Sequence, residues 1–146
     1  MENIPAYLDL IRSHRSEFNN LCGVEFEAIG RGCCRASCLI KPELTNFYGF
    51  VHGGASATLM DAAAGTAAYF SGDEPRSTVT QSANYHFLRP VSGGRMVCEA
   101  VVIKAGRHTA LVRSELRDDA GKLCVVGDFE FFFTDHKRQE AAHESV

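Results

Sequence analysis

The chain has 146 residues, 45% of them hydrophobic and 23% charged, with a formal net charge of −3. That length supports one domain with a real core, and the charge offers no basic surface for general nucleic-acid or membrane-surface binding. No apolar run approaches the roughly 20 residues needed to cross a bilayer, and the start, M-E-N-I-P-A-Y-L, lacks the basic and apolar regions of a signal peptide, so a cytoplasmic setting is expected.

Ile4 to Asn19 reads as one amphipathic helix, with Tyr7, Leu8, Ile11 and Phe18 at helical spacing and Arg12, His14, Arg15 and Glu17 between them. Gly23 marks the helix end, and the core of the domain is expected from about residue 23 to 134. Val24–Ile29 and Cys33–Ile40 form a strand pair across Gly30-Arg31-Gly32. In the second strand Cys34, Ala36, Cys38 and Ile40 share a face, and Lys41-Pro42 ends it, because proline cannot donate to a ladder. A glycine-broken polar loop from Asn46 leads into an alanine-rich helix from Gly54 to about Ser71, stopped by S-G-D-E-P. The rest reads as β structure: Arg76–Leu88, Met96–Lys104, His108–Arg117 and Lys122–Thr134. Turns fall at Ser92-Gly93-Gly94, Ala105-Gly106-Arg107 and Asp118-Asp119-Ala120-Gly121. The expected class is α+β, an antiparallel sheet around one long helix, with a polar tail over 135–146.

Six cysteines stand at Cys22, Cys33, Cys34, Cys38, Cys98 and Cys124. A domain of this size needs no disulfide framework, and they form no C-x-x-C pair, so reduced, packed thiols are expected. The six histidines are scattered and make no H-E-x-x-H motif, so no metal is expected.

The chemistry concentrates in Asn46 to Phe70. Gly53 and Gly54 stand where loop turns into helix, and a helix start offers free N–H groups to an oxygen carrying negative charge. Asp61 is the lone acid of the alanine-rich helix. It follows Gly53 by eight residues, roughly 12 Å along a helix axis, whereas a general base must come within about 3 Å of its target or act through one water. The two groups are therefore expected to cooperate between subunits, each acid meeting the other chain's helix start across a two-fold axis. An Asp of ordinary pKa, about 4, is ionised at neutral pH and able to act as base or nucleophile.

The pattern N-x-x-G-x-x-H-G-G over Asn46, Gly49, His52, Gly53 and Gly54, followed by T-L-x-D ending at Asp61, resembles the phenylacetic-acid-degradation branch of hotdog-fold acyl-CoA thioesterases. The N-Y-H-F-L-R-P run and the K-A-G-R-H-T turn are similar to that branch as well. The resemblance covers about residues 44 to 133. It implies an acyl-CoA substrate hydrolysed without metal or bound cofactor, by a homodimer or homotetramer. It also implies that the Gly53 amide polarises the thioester carbonyl while the facing subunit's Asp61 attacks it or activates water. Counting back from Pro90, Thr80 takes the family's water-positioning place. Family CoA contacts fall on Lys104, Gly106, Arg107 and Thr109, with Gly54 and Arg89 further substrate-binding candidates.

His52 and Asn46 either hold the glycine loop by hydrogen bonds to its backbone or touch the thioester directly. Lys104, Arg107 and Arg89 suit the phosphates of CoA. Tyr48, Phe50, Tyr69, Phe70 and Phe87 read as core. Two rival functions are a non-catalytic acyl-CoA or acyl-carrier binding protein, which has no need of an acid beside the thioester, and a hotdog hydratase or dehydratase.

Overall fold

The computed structural model describes residues 1–14 and 16–134; Arg15 and the tail expected over 135–146 lie outside the described residues. The predicted N-terminal helix is two helices, α1 (Pro5–Ser13) and α2 (Glu17–Cys22). Ser16 is extended, and its side chain accepts from Asn19 N, so it caps a second helix rather than continuing the first. Gly23 closes α2 at φ 77°, the left-handed conformation that glycine adopts without a Cβ penalty.

Strands β1 (Val24–Gly30) and β2 (Cys33–Leu39) form the expected hairpin. The central helix α3 runs from Gly53 to Tyr69, starting one residue and ending two residues earlier than the sequence suggests. Then come β3 (Thr78–Phe87), β4 (Arg95–Ala105), β5 (Thr109–Asp118) and β6 (Leu123–Phe133). All pairings are antiparallel, in a six-stranded sheet of order β1-β2-β4-β5-β6-β3. Residues 92–94 are therefore no hairpin turn. The chain crosses there from one end of the sheet to its interior, and β3 pairs with β6 alone. The Asp118 turn does close a hairpin: Asp118 Oδ1 accepts from Ala120 N and Lys122 N, and Gly121 adopts φ 78°.

The sheet curls around α3, and both contribute small residues where they meet. Leu59, Met60, Ala63, Ala64, Ala67 and Ala68 of the helix are fully buried. Cys34, Ala36, Cys98, Ala100, Ala110 and Val112 face them from the strands. A Cβ added to Gly65 would come within 3.2 Å of the Phe131 ring, so the sheet lies almost directly on the helix backbone. Tyr7 of α1 stacks on Phe70 at 4.1 Å, which seats the N-terminal helices at the far end of α3. The opposite sheet face is charged: Arg35 links Glu27 and Glu99, and Arg113 grips Asp128 through two nitrogens.

Edge strand β3 contains a bulge between Thr80 and Ser82. Two residues there oppose one, which turns Thr80 toward α3 beside Phe131 and then directs Ala83, Tyr85 and Phe87 to that same side. The helix-facing side of β3 and the helix together frame the site.

Candidate active site

The loop before α3 is built from its own backbone. Asn46 Oδ1 accepts from Tyr48 N and Phe50 N, Asn46 N donates to Phe50 O, and His52 N donates to Leu44 O at 2.7 Å. His52 is the N-cap of α3: its Nδ1 accepts from Gly54 N at 2.9 Å, which leaves the ring proton on Nε2. Its carbonyl takes Ala55 N and Ser56 N. With those donors engaged, one first-turn donor is left over, and among the described residues nothing accepts from the Gly53 N–H. That N–H stands at the positive end of a 17-residue helix. The side chains of His52 and Asn46 thus hydrogen-bond the backbone of the helix start and of the loop.

Asp61 sits two turns on, half-buried. Thr80 Oγ1 donates to its Oδ1 at 2.8 Å. Burial raises the pKa of Asp61 above the ordinary value for Asp, and the Thr80 hydrogen bond opposes part of that rise. The carboxyl is therefore more basic than the ordinary pKa assumed from sequence, and Oδ2 remains open to a further partner.

Gly53 and Asp61 of one chain open into different clefts. The first, of about 1400 Å³, contains Asp61, Thr80, Thr58 and Tyr85 and reaches to Ile11 and Phe18 of the N-terminal helices. The second, of about 540 Å³, contains Gly53, Asn46, Phe87 and Arg89. Phe87 and Tyr48, read as core from sequence, are 55% and 80% exposed, and Phe50 is also exposed. They stand on the edge strand and on the loop around Gly53, where no described residue covers them. Phe70 is buried as expected and Tyr69 partly so.

The proposed phosphate contacts are spread more widely. Arg89 lies in the Gly53 cleft, with its guanidinium donating to Leu123 O at 2.7 Å. Lys104, Gly106, Arg107 and Thr109 gather at the exposed β4–β5 turn, closed by Gly106 N donating to Thr109 O. Arg76 pins that turn. It donates to Gly106 O and Arg107 O and lies over the Phe133 ring at 3.6 Å. Gly54 spends its N–H on His52.

Sequence reasoning missed Arg76 and Tyr85. Tyr85 lines the Asp61 cleft, held edge-on to Phe129 at 5.3 Å and stacked near Phe87 at 6.0 Å. Its phenol is pushed up to about 12, by burial first and by the Asp61 charge second, so it remains protonated.

Residues 48–125 match the family described as the thioesterase superfamily. The proofreading thioesterase EntH of Klebsiella pneumoniae is 26% identical over 102 residues, which cover 70% of this chain and 74% of that protein. The conserved protein PA5202 of Pseudomonas aeruginosa superposes with a TM-score of 0.79 at 30% identity, covering 84% of this chain and 98% of that one. PaaI of E. coli, from the phenylacetic acid degradation operon, shares the fold with a TM-score of 0.79 at 18% identity, covering 87% of this chain and 91% of that one. The fold is the hotdog fold that the sequence resembles, and the chain belongs to the thioesterase superfamily.

Proposed function

We propose that this protein hydrolyses acyl-CoA thioesters in a cytoplasmic setting, at sites shared between two copies of the chain. One observation carries the reading: the unpartnered Gly53 N–H and the Thr80-bonded Asp61 lie on one helix but face different clefts. A two-fold axis that sets two α3 helices antiparallel would bring each Gly53 amide to the partner subunit's Asp61. The edge strand supports this, because among the described residues the ten-residue β3 pairs on one side only, with β6. An open edge of that length is a ready place for a second copy to pair. The exposed Phe47, Tyr48, Phe87 and Leu88 flank it.

In this site the thioester carbonyl oxygen accepts from the Gly53 N–H, and the partner subunit's Asp61 takes a proton from water as the water oxygen attacks the carbonyl carbon. The Thr80 hydroxyl, whose O–H donates a hydrogen bond to Asp61, keeps lone pairs that accept from that water. The tetrahedral intermediate collapses by breaking the carbon–sulfur bond. Asp61 returns its proton to the departing thiolate, leaving a carboxylic acid and CoA. The raised basicity of Asp61 suits the first proton transfer. The Lys104–Thr109 turn and Arg89 supply the cationic contacts to the CoA phosphates, and Arg76 holds the turn in place.

The test is a thiol-release assay over a panel of acyl-CoA esters, with Asp61→Asn as control. Turnover by wild type and its loss in the variant support the reading. Hydrolysis of an acyl-CoA with undiminished kcat in Asp61→Asn would remove the acid from the mechanism.

A further inference from the structure

The hydroxyl groups around Asp61 are not equally free. Thr80 Oγ1 donates a hydrogen bond to Asp61 Oδ1, and Thr58 Oγ1 donates one to Gly54 O at 2.9 Å. The Tyr85 hydroxyl also lines this cleft, and among the described residues none hydrogen-bonds it. Its ring is fixed on the helix-facing side of β3 by Phe129 and Phe87. Opposite it on β6 stands Gly127, where the Phe129 ring and the Met60 methyl group already fill the space a side chain would take. Solvent reaches the phenol oxygen in this cleft, so a substrate that displaces that water must bring an acceptor or leave the hydroxyl unsatisfied.

We propose that Tyr85 is a specificity-determining residue whose hydroxyl donates to an oxygen on the acyl group, a few bonds from the thioester carbonyl, so that oxygen-bearing acyl groups are preferred over plain alkyl ones of equal length. The inference rests on the proposed hydrolytic site and names its substrate class. Burial and the Asp61 charge keep the phenol protonated across the working range, so it serves as a donor throughout. A plain alkyl chain in the same place would leave the donor unsatisfied, and a site with such a group discriminates against the analogue that lacks the acceptor. Tyr85 hydrogen-bonds no catalytic group, so replacing it leaves the Thr80–Asp61 pair and the Gly53 amide as they are.

The experiment compares butanoyl-CoA with 3-hydroxybutanoyl-CoA, and hexanoyl-CoA with 3-hydroxyhexanoyl-CoA, on wild type and Tyr85→Phe. In wild type, kcat/KM for the hydroxylated ester is expected to exceed that of its partner by about 10-fold. Tyr85→Phe is expected to remove the preference, lowering the hydroxylated ester by about that factor and leaving the alkyl ester within about 2-fold. Absence of a preference in wild type, or an equal loss on both esters in the variant, overturns the proposal. Equilibrium binding of the same four esters to Asp61→Asn and to Asp61→Asn/Tyr85→Phe reads selection without turnover. A protein that hydrolyses no ester of the thiol-release panel but binds the hydroxylated esters more tightly through Tyr85 refutes the hydrolase reading and keeps this one. Equal binding of all four, in both backgrounds, refutes the selectivity while leaving hydrolysis to be judged by thiol release.

Discussion

Thr80 Oγ1 stands 2.8 Å from Asp61 Oδ1, joining an edge strand to the middle of the central helix through the one acid that helix carries. The bond favours the ionised carboxylate, against burial, which disfavours it. Thr80→Val removes the opposing influence and leaves burial alone, so the Asp61 pKa rises further. The acid limb of the pH–rate profile is expected to move to higher pH than in wild type. At neutral pH, kcat is expected to fall about 10-fold as base and water lose their alignment. A profile that overlays wild type would show that the bond has no part in setting the base.

Asp61→Asn separates catalysis from stability. Loss of a general base lowers kcat by about 10²–10⁴-fold. The folded-state pKa of Asp61 lies above its unfolded value, so its favourable contribution is present in acid, below the unfolded pKa, and is lost as pH rises through the folded pKa. At pH 8 the ionised, half-buried group therefore lowers stability, and the amide relieves it. Thermal melts should find the variant no less stable than wild type at pH 8, with the difference between them shifting in favour of wild type as the pH falls into the carboxylate range. A large drop in Tm at pH 8 would contradict this.

Gly53 is the first residue of α3, following a His52 at φ −61° and ψ 136°. That is a place where proline is tolerated: the first helical position lacks an intrahelical acceptor, and the residue before it is extended. Gly53→Pro therefore deletes the amide hydrogen with little damage to the helix. Turnover is expected to fall by about 10²–10³-fold, the usual loss for one oxyanion donor, with Tm close to wild type. Mixing this variant with Asp61→Asn tests sharing. One of the two sites in each heterodimer would then have both an intact amide and an intact acid, so activity should reappear above that of either parent. Complete silence of the mixture, with heterodimers shown to be present, would argue for sites within single chains.

Arg107 is exposed at the β4–β5 turn, whose carbonyls Arg76 holds. Arg107→Glu should raise KM for an acyl-CoA on the order of 3- to 10-fold at low salt, and less at high salt. The same acyl group on N-acetylcysteamine, which carries no phosphates, should show an unchanged KM. Equal increases on the two thioesters would mean that the turn acts through the fold.

The sequence makes much of this molecule readable. The glycine pair before an alanine-rich helix locates both the helix start and the buried face, because small residues at helical spacing leave few alternatives. Spacing alone separates Gly53 from Asp61, and the structure places them in different clefts. Tyr85 was not readable for a definite reason. Simple alternation from Thr80 sends odd-numbered residues of β3 to the opposite face, and the bulge after Thr80 reverses that parity. The break between α1 and α2 is hidden in a similar way. Phe18 continues the helical spacing of Tyr7 and Ile11, while Ser16 competes for backbone donors and restarts the helix. Pairing of β3 with β6 depends on contacts distant in sequence that no local pattern states.

The closeness of sheet to helix at Gly65 and Phe131 bears on how such a protein diversifies. A methyl group at that position requires the Phe131 ring to give by a few tenths of an ångström, and Ala63, Ala64, Ala67 and Ala68 beside it are fully buried. Descendants that acquire new substrates must therefore keep this spine nearly unaltered and change the lining contributed by Phe18, Ile11 and Tyr85 instead. Directed evolution libraries should place their diversity at those positions and leave residues 62 to 68 alone.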